Sequence, residues 1–187
     1  YVTGAGSSIP TLKKGQTEFY SHGTGGSTLD VTVDYAIFAP GIYKNANLGF
    51  SPFPSYTALA DTDYVYAYQL HNKLGSVYVS GLTMPRVSEI NISEYNFGYS
   101  DPNQVPFSGD VKPSNIFIAG SVIQISFIPT LLPPGKSNYV VLVAVPYYAD
   151  ILKPVTVANG GLTSQKDMPV PGVPVPGALT LAAMGIG

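Results

Sequence analysis

The stretch LDVTVDYAIF, Leu29 to Phe38, alternates apolar and polar side chains almost without a break. Leu29, Val31, Val33, Tyr35 and Ile37 fall on one side, and Asp30, Thr32 and Asp34 on the other. Successive side chains of an extended chain point to opposite faces, so this period of two makes a strand with one face on a core and one toward water. Nothing competes with that pattern. Pro and Gly interrupt the sequence every few residues, and before the C-terminal tail no 3.6-residue apolar stripe runs for the length of a helix. DYVYAYQL (63–70) sets Tyr64, Tyr66, Tyr68 and Leu70 against Val65 and Ala67, apolar on both faces, which places it centrally in a sheet. NYVVLVAVPY (138–147) is the most apolar strand, with SVYVSGLT (76–83) and SVIQISFI (121–128) beside it. Weaker signals mark 86–92, 95–99, 115–118 and 155–158, and APG, HNKLG and LLPPGKS supply turns. Strands at roughly ten-residue intervals predict an all-β, antiparallel two-sheet sandwich, jelly-roll or immunoglobulin-like. A closed barrel is the alternative, and the lack of a fixed-period repeat argues against a solenoid or propeller.

The two ends differ from the middle. Residues 1–28 contain GAGSS and SHGTGGST, with Val2, Ile9, Leu12 and Phe19 as their main apolar residues. Residues 159–187 contain NGGLTSQKD and then PVPGVPVPGALTLAAMGIG. The expected division is therefore an N-terminal arm (1–28), a sandwich domain (29–158), and a Pro/Gly-rich linker with an apolar tail (159–187). Pro169, Pro171, Pro174 and Pro176 favour polyproline II, a stiff spacer of roughly 25 Å. Ala178–Gly187 is too short for a membrane span, which needs about 20 residues. Left in water, Leu179, Leu181, Met184 and Ile186 would each forgo about 1.5–3 kcal/mol. The expected subunit interface is thus Val170, Val173, Val175, Leu179, Leu181, Met184 and Ile186, with Val2, Ile9, Leu12 and Phe19 of the N-terminal arm as second choice.

The chemistry of the chain is sparse. Nine Lys+Arg against eleven Asp+Glu give a net charge of -2 and no basic patch, which excludes nucleic acid as the expected partner. Charged residues are 11% of the chain, against about 25% in a typical soluble domain, so little repulsion opposes self-association. Low charge with 14 Tyr and 20 Gly is the composition of extracellular all-β proteins. Cys is 0, and a chain of 187 residues buries enough surface to do without disulfides. With no Cys nucleophile and no Ser in a nucleophile elbow, His22 in SHG and His71 in LHN read as surface or turn residues. Asp61 and Asp63 in ADTDY read as turn residues rather than a glycosidase pair. With Asp101, Asn103 and Asp110 they fall short of the six to eight oxygens calcium takes, so no metal or cofactor is expected. Tyr64, Tyr66 and Tyr68 could form a sugar-stacking platform, although Trp is 0. Asn91-Ile92-Ser93 is a sequon, making Asn91 a candidate glycosylation site.

Four stretches, VDYAIFAPG, YVYAYQLHN, LLPPGKSNYVVLVAVP and the closing VPVPGALTLAAMG, resemble in that order proteins of the PEP-CTERM class. These are exosortase-sorted exported proteins of biofilm-forming bacteria. Val173-Pro174-Val175-Pro176 would be the signature, with Val175 where that class carries Glu, and Ala178–Gly187 would open the apolar helix. The resemblance implies export, an extracellular or surface-associated structural role, and no enzyme. Together with the composition it leads to the expectation of an extracellular protein that self-assembles into a fibre or matrix. An arm of one subunit would pair with an exposed sheet edge of the next, a heterologous contact that repeats into an open filament unless the rotation closes. The alternatives are a carbohydrate- or surface-binding sandwich module and a viral jelly-roll capsid protein.

Overall fold

The Leu29–Phe38 alternation becomes β2 (Thr28–Phe38), the second strand of a six-stranded antiparallel sheet. The structure, a computed structural model, describes residues 9–45, 48–100, 109–149 and 151–173. The other strands are β1 (Lys13–His22), β3 (Ser51–Pro52), β4 (Tyr64–Asn72), β5 (Gly81–Pro85), β6 (Asn96–Tyr99), β7 (Asn115–Ala119), β8 (Val122–Ser126), β9 (Val141–Val145), β10 (Ile151–Ala158) and β11 (Thr163–Val170). One sheet has the order β1-β2-β4-β9-β6-β3 and the other β11-β10-β5-β8-β7. All ladders are antiparallel, and the molecule is the expected two-sheet sandwich. A single four-residue helix, α1 (Ile42–Asn45), follows β2.

Between the sheets, Val31, Val33 and Ile37 of β2 and Tyr66, Tyr68 and Leu70 of β4 meet Leu82 and Met84 of β5, Ile123 and Ile125 of β8, and Val155 and Val157 of β10. β4 is central, paired with β2 on one side and β9 on the other, as its two apolar faces predict. Its second face packs in a further cluster. Ala36, Phe38, Val65, Ala67, Leu142 and Ala144 line the outside of the six-stranded sheet and are covered by Tyr43, Leu48 and Leu59. The reading of β2 as half-solvated is corrected: Thr32 and Asp34, on its polar side, are buried, with Asp34 bonded to Gln16 and His71 of the flanking strands, while Tyr35 stays half-buried. Gly15 of β1, opposite Tyr35, leaves the space that the Tyr35 ring occupies.

The largest correction concerns the two ends. Residues 13–22 are not an arm: β1 pairs with β2 from Lys13↔Ile37 to His22↔Thr28, and Phe19 is fully buried. Residues 163–170 are not a linker: β11 pairs with β10 along its whole length, with Met168 and Val170 fully buried. An edge strand covers only the rim of the core, so one or two inward side chains suffice and the rest stay polar. Sparse hydrophobicity in KKGQTEFYSH is the mark of an edge, not of a detached segment. The 86–92 segment is not a strand; Pro85 ends β5, and a turn closed by Ile90 N–H to the Val87 carbonyl (3.2 Å) follows.

The terminal strands lie at the same margin of the sandwich, where Ser164 Oγ donates to the Tyr20 carbonyl (3.1 Å). At the other end of β11, the Pro169 carbonyl accepts from the hydroxyl of Tyr68, which stands opposite Tyr35, itself opposite Gly15. β1 and β11 therefore run in opposite directions. The chain enters before β1 and leaves after β11 at the same pole.

Candidate functional site

This pole gathers the end of β2, the start of β4 and the end of β9, through Phe38↔Val65 and Tyr64↔Val145. The entering segment is held by Leu12 N–H to the Ile37 carbonyl (2.8 Å), and Ile9 packs on the second cluster. The leaving segment sets Gly172 against Ile151 and Ala149, where an added Cβ would have to displace the Ile151 side chain, and Val173 packs against the main core. The rings of Tyr64 and Tyr148 stack at 5.6 Å nearby.

A cavity of about 210 Å³ opens on the outer face of the six-stranded sheet at this pole, between α1 and the 48–59 segment. Its walls are Tyr43, Leu48, Phe50, Ala58 and Leu59. Gly41, in the left-handed region at φ 74°, turns the chain from β2 into α1 and sets Tyr43 edge-on against Phe38. The Tyr43 hydroxyl donates to the Leu48 and Gly49 carbonyls (3.4 and 3.3 Å), tying the far wall to the helix. Burial pushes that phenol far above its ordinary value, so it stays a neutral donor. Lys44, another residue lining the cavity, pairs with Asp61 at 2.7 Å, and both side chains are largely exposed. An apolar hollow with one ion pair at its rim suits an aliphatic side chain.

The residues expected at an interface are dispersed. Phe19 and Val170 belong to the protein's own core, Val173 packs beside it, Ile9 is half-buried and Leu12 is exposed. Val2, Val175, Leu179, Leu181, Met184 and Ile186 lie outside the described residues, as do Asp101 and Asn103. Asn91 is exposed at the N-cap of a 3-10 turn, Ile92–Glu94, in a capping box with Glu94. The tyrosine platform is overturned: Tyr66 and Tyr68 are at 0% and 1% exposure, facing the core, and their hydroxyls donate to the Ala149 and Pro169 carbonyls. Asp63 caps its own turn by accepting from Ala60 N–H (2.9 Å). Among the described residues no three His, Cys, Asp or Glu side chains gather as metal ligands.

Sequence reasoning missed one polar constellation. β4 runs on to Asn72, so His71 is a strand residue rather than part of a turn, bridged to Ser137 and opposite Thr32. Ser137 Oγ is hydrogen-bonded to His71 Nδ1 (2.6 Å), and His71 Nε2 to the Asp34 carboxylate (3.2 Å). Gln16 donates to the other oxygen of Asp34 (2.7 Å). Ser, His and Asp thus stand in the order of a hydrolytic triad, but acyl transfer also needs N–H donors for an oxyanion. Those of Lys136, Ser137 and Asn138 are taken by the Pro133 carbonyl, the Asp110 carboxylate and the Leu70 carbonyl. The constellation therefore clamps β1, β2, β4 and the 133–138 loop together. The parity of Asp34 and His71 on adjoining strands was the available signal, hidden because HNKLG reads as a loop. No protein-family model, curated protein or solved structure matches the chain.

Proposed function

We propose that this protein is an exported structural subunit that polymerises outside the cell, each subunit inserting the apolar tail that follows Val173 into the Tyr43–Leu59 cavity of a neighbour. The observation that carries the reading is the pairing of an open apolar cavity with the exit of the chain at one pole. Pro174 and Pro176 give the tail a stiff lead, and Leu179, Leu181, Met184 and Ile186 are its anchors. Each anchor removed from water contributes about 1.5–3 kcal/mol. That gain works against the association cost of about 4–15 kcal/mol, so more than one anchor must be covered. Donor and acceptor are unlike surfaces, so the contact is heterologous and repeats into an open filament unless its rotation closes a ring. A charge content of 11% leaves little repulsion to oppose it. The resemblance to the PEP-CTERM class supports export and a matrix role, and no catalytic step belongs to this reading. Among the described residues no helix is long and apolar enough to cross a membrane.

Electron microscopy of the full chain, of a chain ending at Val173, and of Ala58→Glu, at an exposed position on the cavity wall, tests the proposal. The full chain should form threads, and both variants should stay folded but fail to assemble. Threads of normal length from the shortened chain would exclude the tail as connector. A monomeric full chain whose melting temperature falls on shortening would mean that the tail packs on its own subunit, and the proposal would fail.

A further inference from the structure

The two outer faces of the sandwich differ. That of the six-stranded sheet is roofed by the second apolar cluster. On the five-stranded sheet, Thr83, Gln124 and Thr156 alternate with buried Leu82, Met84, Ile123, Ile125, Val155 and Val157, so they face outward and reach solvent. The register aligns the outward residues in rows across all five strands. One row is Gln165, Thr156, Thr83, Gln124 and Phe117. The next is Thr163, Ala158, Gly81, Ser126 and Asn115. Asp167, opposite Pro154 at the β11 margin, is the only charged residue at these outward positions. The side chains of Thr83, Asn115 and Gln124 make no hydrogen bond to a described residue.

We propose that this face binds a neutral polysaccharide. Amide and hydroxyl side chains both donate and accept, as sugar hydroxyls do, so either partner can satisfy the other in many registers. An anionic polymer would lose hydration against a face whose one outward charge is the carboxylate of Asp167. Phe117 ends the central row and offers a ring to the apolar C–H face of a pyranose. A second copy of the chain fits less well. Five strands at about 4.8 Å and three rows at about 6.8 Å give a face of roughly 490 Å². That is about three-fifths of the ~800 Å² per partner of a stable protein interface. The face stands apart from the cavity at the pole, so glycan binding and assembly are separable.

The test is retention of the full-length protein on cellulose, chitin and starch, with alginate as the anionic comparison. Retention on at least one neutral polymer is expected, with none on alginate. Thr83→Lys and Gln124→Ala should each lower the bound fraction roughly tenfold, about 1.4 kcal/mol, at unchanged melting temperature and unchanged assembly. Failure to bind all three neutral polymers, stronger retention on alginate, or full retention by Thr83→Lys and Gln124→Ala would overturn the proposal. A dimer in light scattering that Thr83→Lys converts to monomer would overturn it too, in favour of self-association.

Discussion

Replacing Phe19 with Ala separates the two readings of the N-terminal region most sharply. If residues 1–28 were an arm, the substitution would cost the fold nothing. In the structure Phe19 sits opposite Val31 on β1, has no exposed surface and belongs to the main core. Truncating a fully buried Phe removes its transfer free energy and leaves a cavity that neighbours only partly fill, which together cost about 3–5 kcal/mol. For a chain of this size each kcal/mol shifts the melting temperature by roughly 2–4 °C, so a fall of about 6–20 °C is expected. Thermal unfolding by circular dichroism and urea titration should agree, with the midpoint lowered and the slope unchanged. Leu12→Ala is the control: Leu12 is 48% exposed one residue before the same strand, and its loss should cost under about 0.5 kcal/mol. A Phe19→Ala cost below about 1 kcal/mol would show that β1 does not seal the core.

Val33→Asp places an unpaired carboxylate at a position with 0% exposure and should cost several kcal/mol; melting within a degree or two of the parent would refute the inward face of β2. Ending the chain at Lys166 deletes Met168, Val170 and the Pro169 carbonyl that accepts from Tyr68, so the melting temperature should drop by more than about 10 °C or the fold be lost. An unchanged melt would show that β11 is dispensable. Asp110 accepts from the Ser137 N–H and pairs with Lys136, and these hold its carboxyl below the ordinary value of 3.8. A lowered folded value stabilises the fold above the ordinary value, and that contribution fades as pH falls through the folded one. Asp110→Asn should therefore melt slightly lower than the parent at pH 7, and the gap should close in acid; a gap that persists there would refute the assignment. Millimolar calcium should move the melting temperature by less than about 5 °C, since among the described residues no carboxylate cluster approaches the six to eight oxygens it takes.

The sequence by itself determined the class of fold and the identity of its central strands. Alternation in LDVTVDYAIF and double-sided apolarity in YVYAYQL are properties of side-chain order, and a period of two has one structural meaning wherever a core forms. Only the tertiary structure decided where the domain ends. KKGQTEFYSH and TSQKDMPV carry one to three inward residues each, too few to register locally. They become strands because β2 and β10 each present an unpaired edge to receive them. The same holds for the outer faces. Thr32 and Asp34 look solvated in sequence and are buried, Asp34 among Gln16 of β1 and His71 of β4, while nearer the pole Tyr43, Leu48 and Leu59 cover Ala36 and Phe38. The Ser137–His71–Asp34 clamp joins residues 34, 71 and 137, and strand pairing alone brings them within hydrogen-bond reach. Local order encodes which way a side chain points. Whether another element lies across it is a non-local fact, set by which surfaces the whole chain must bury.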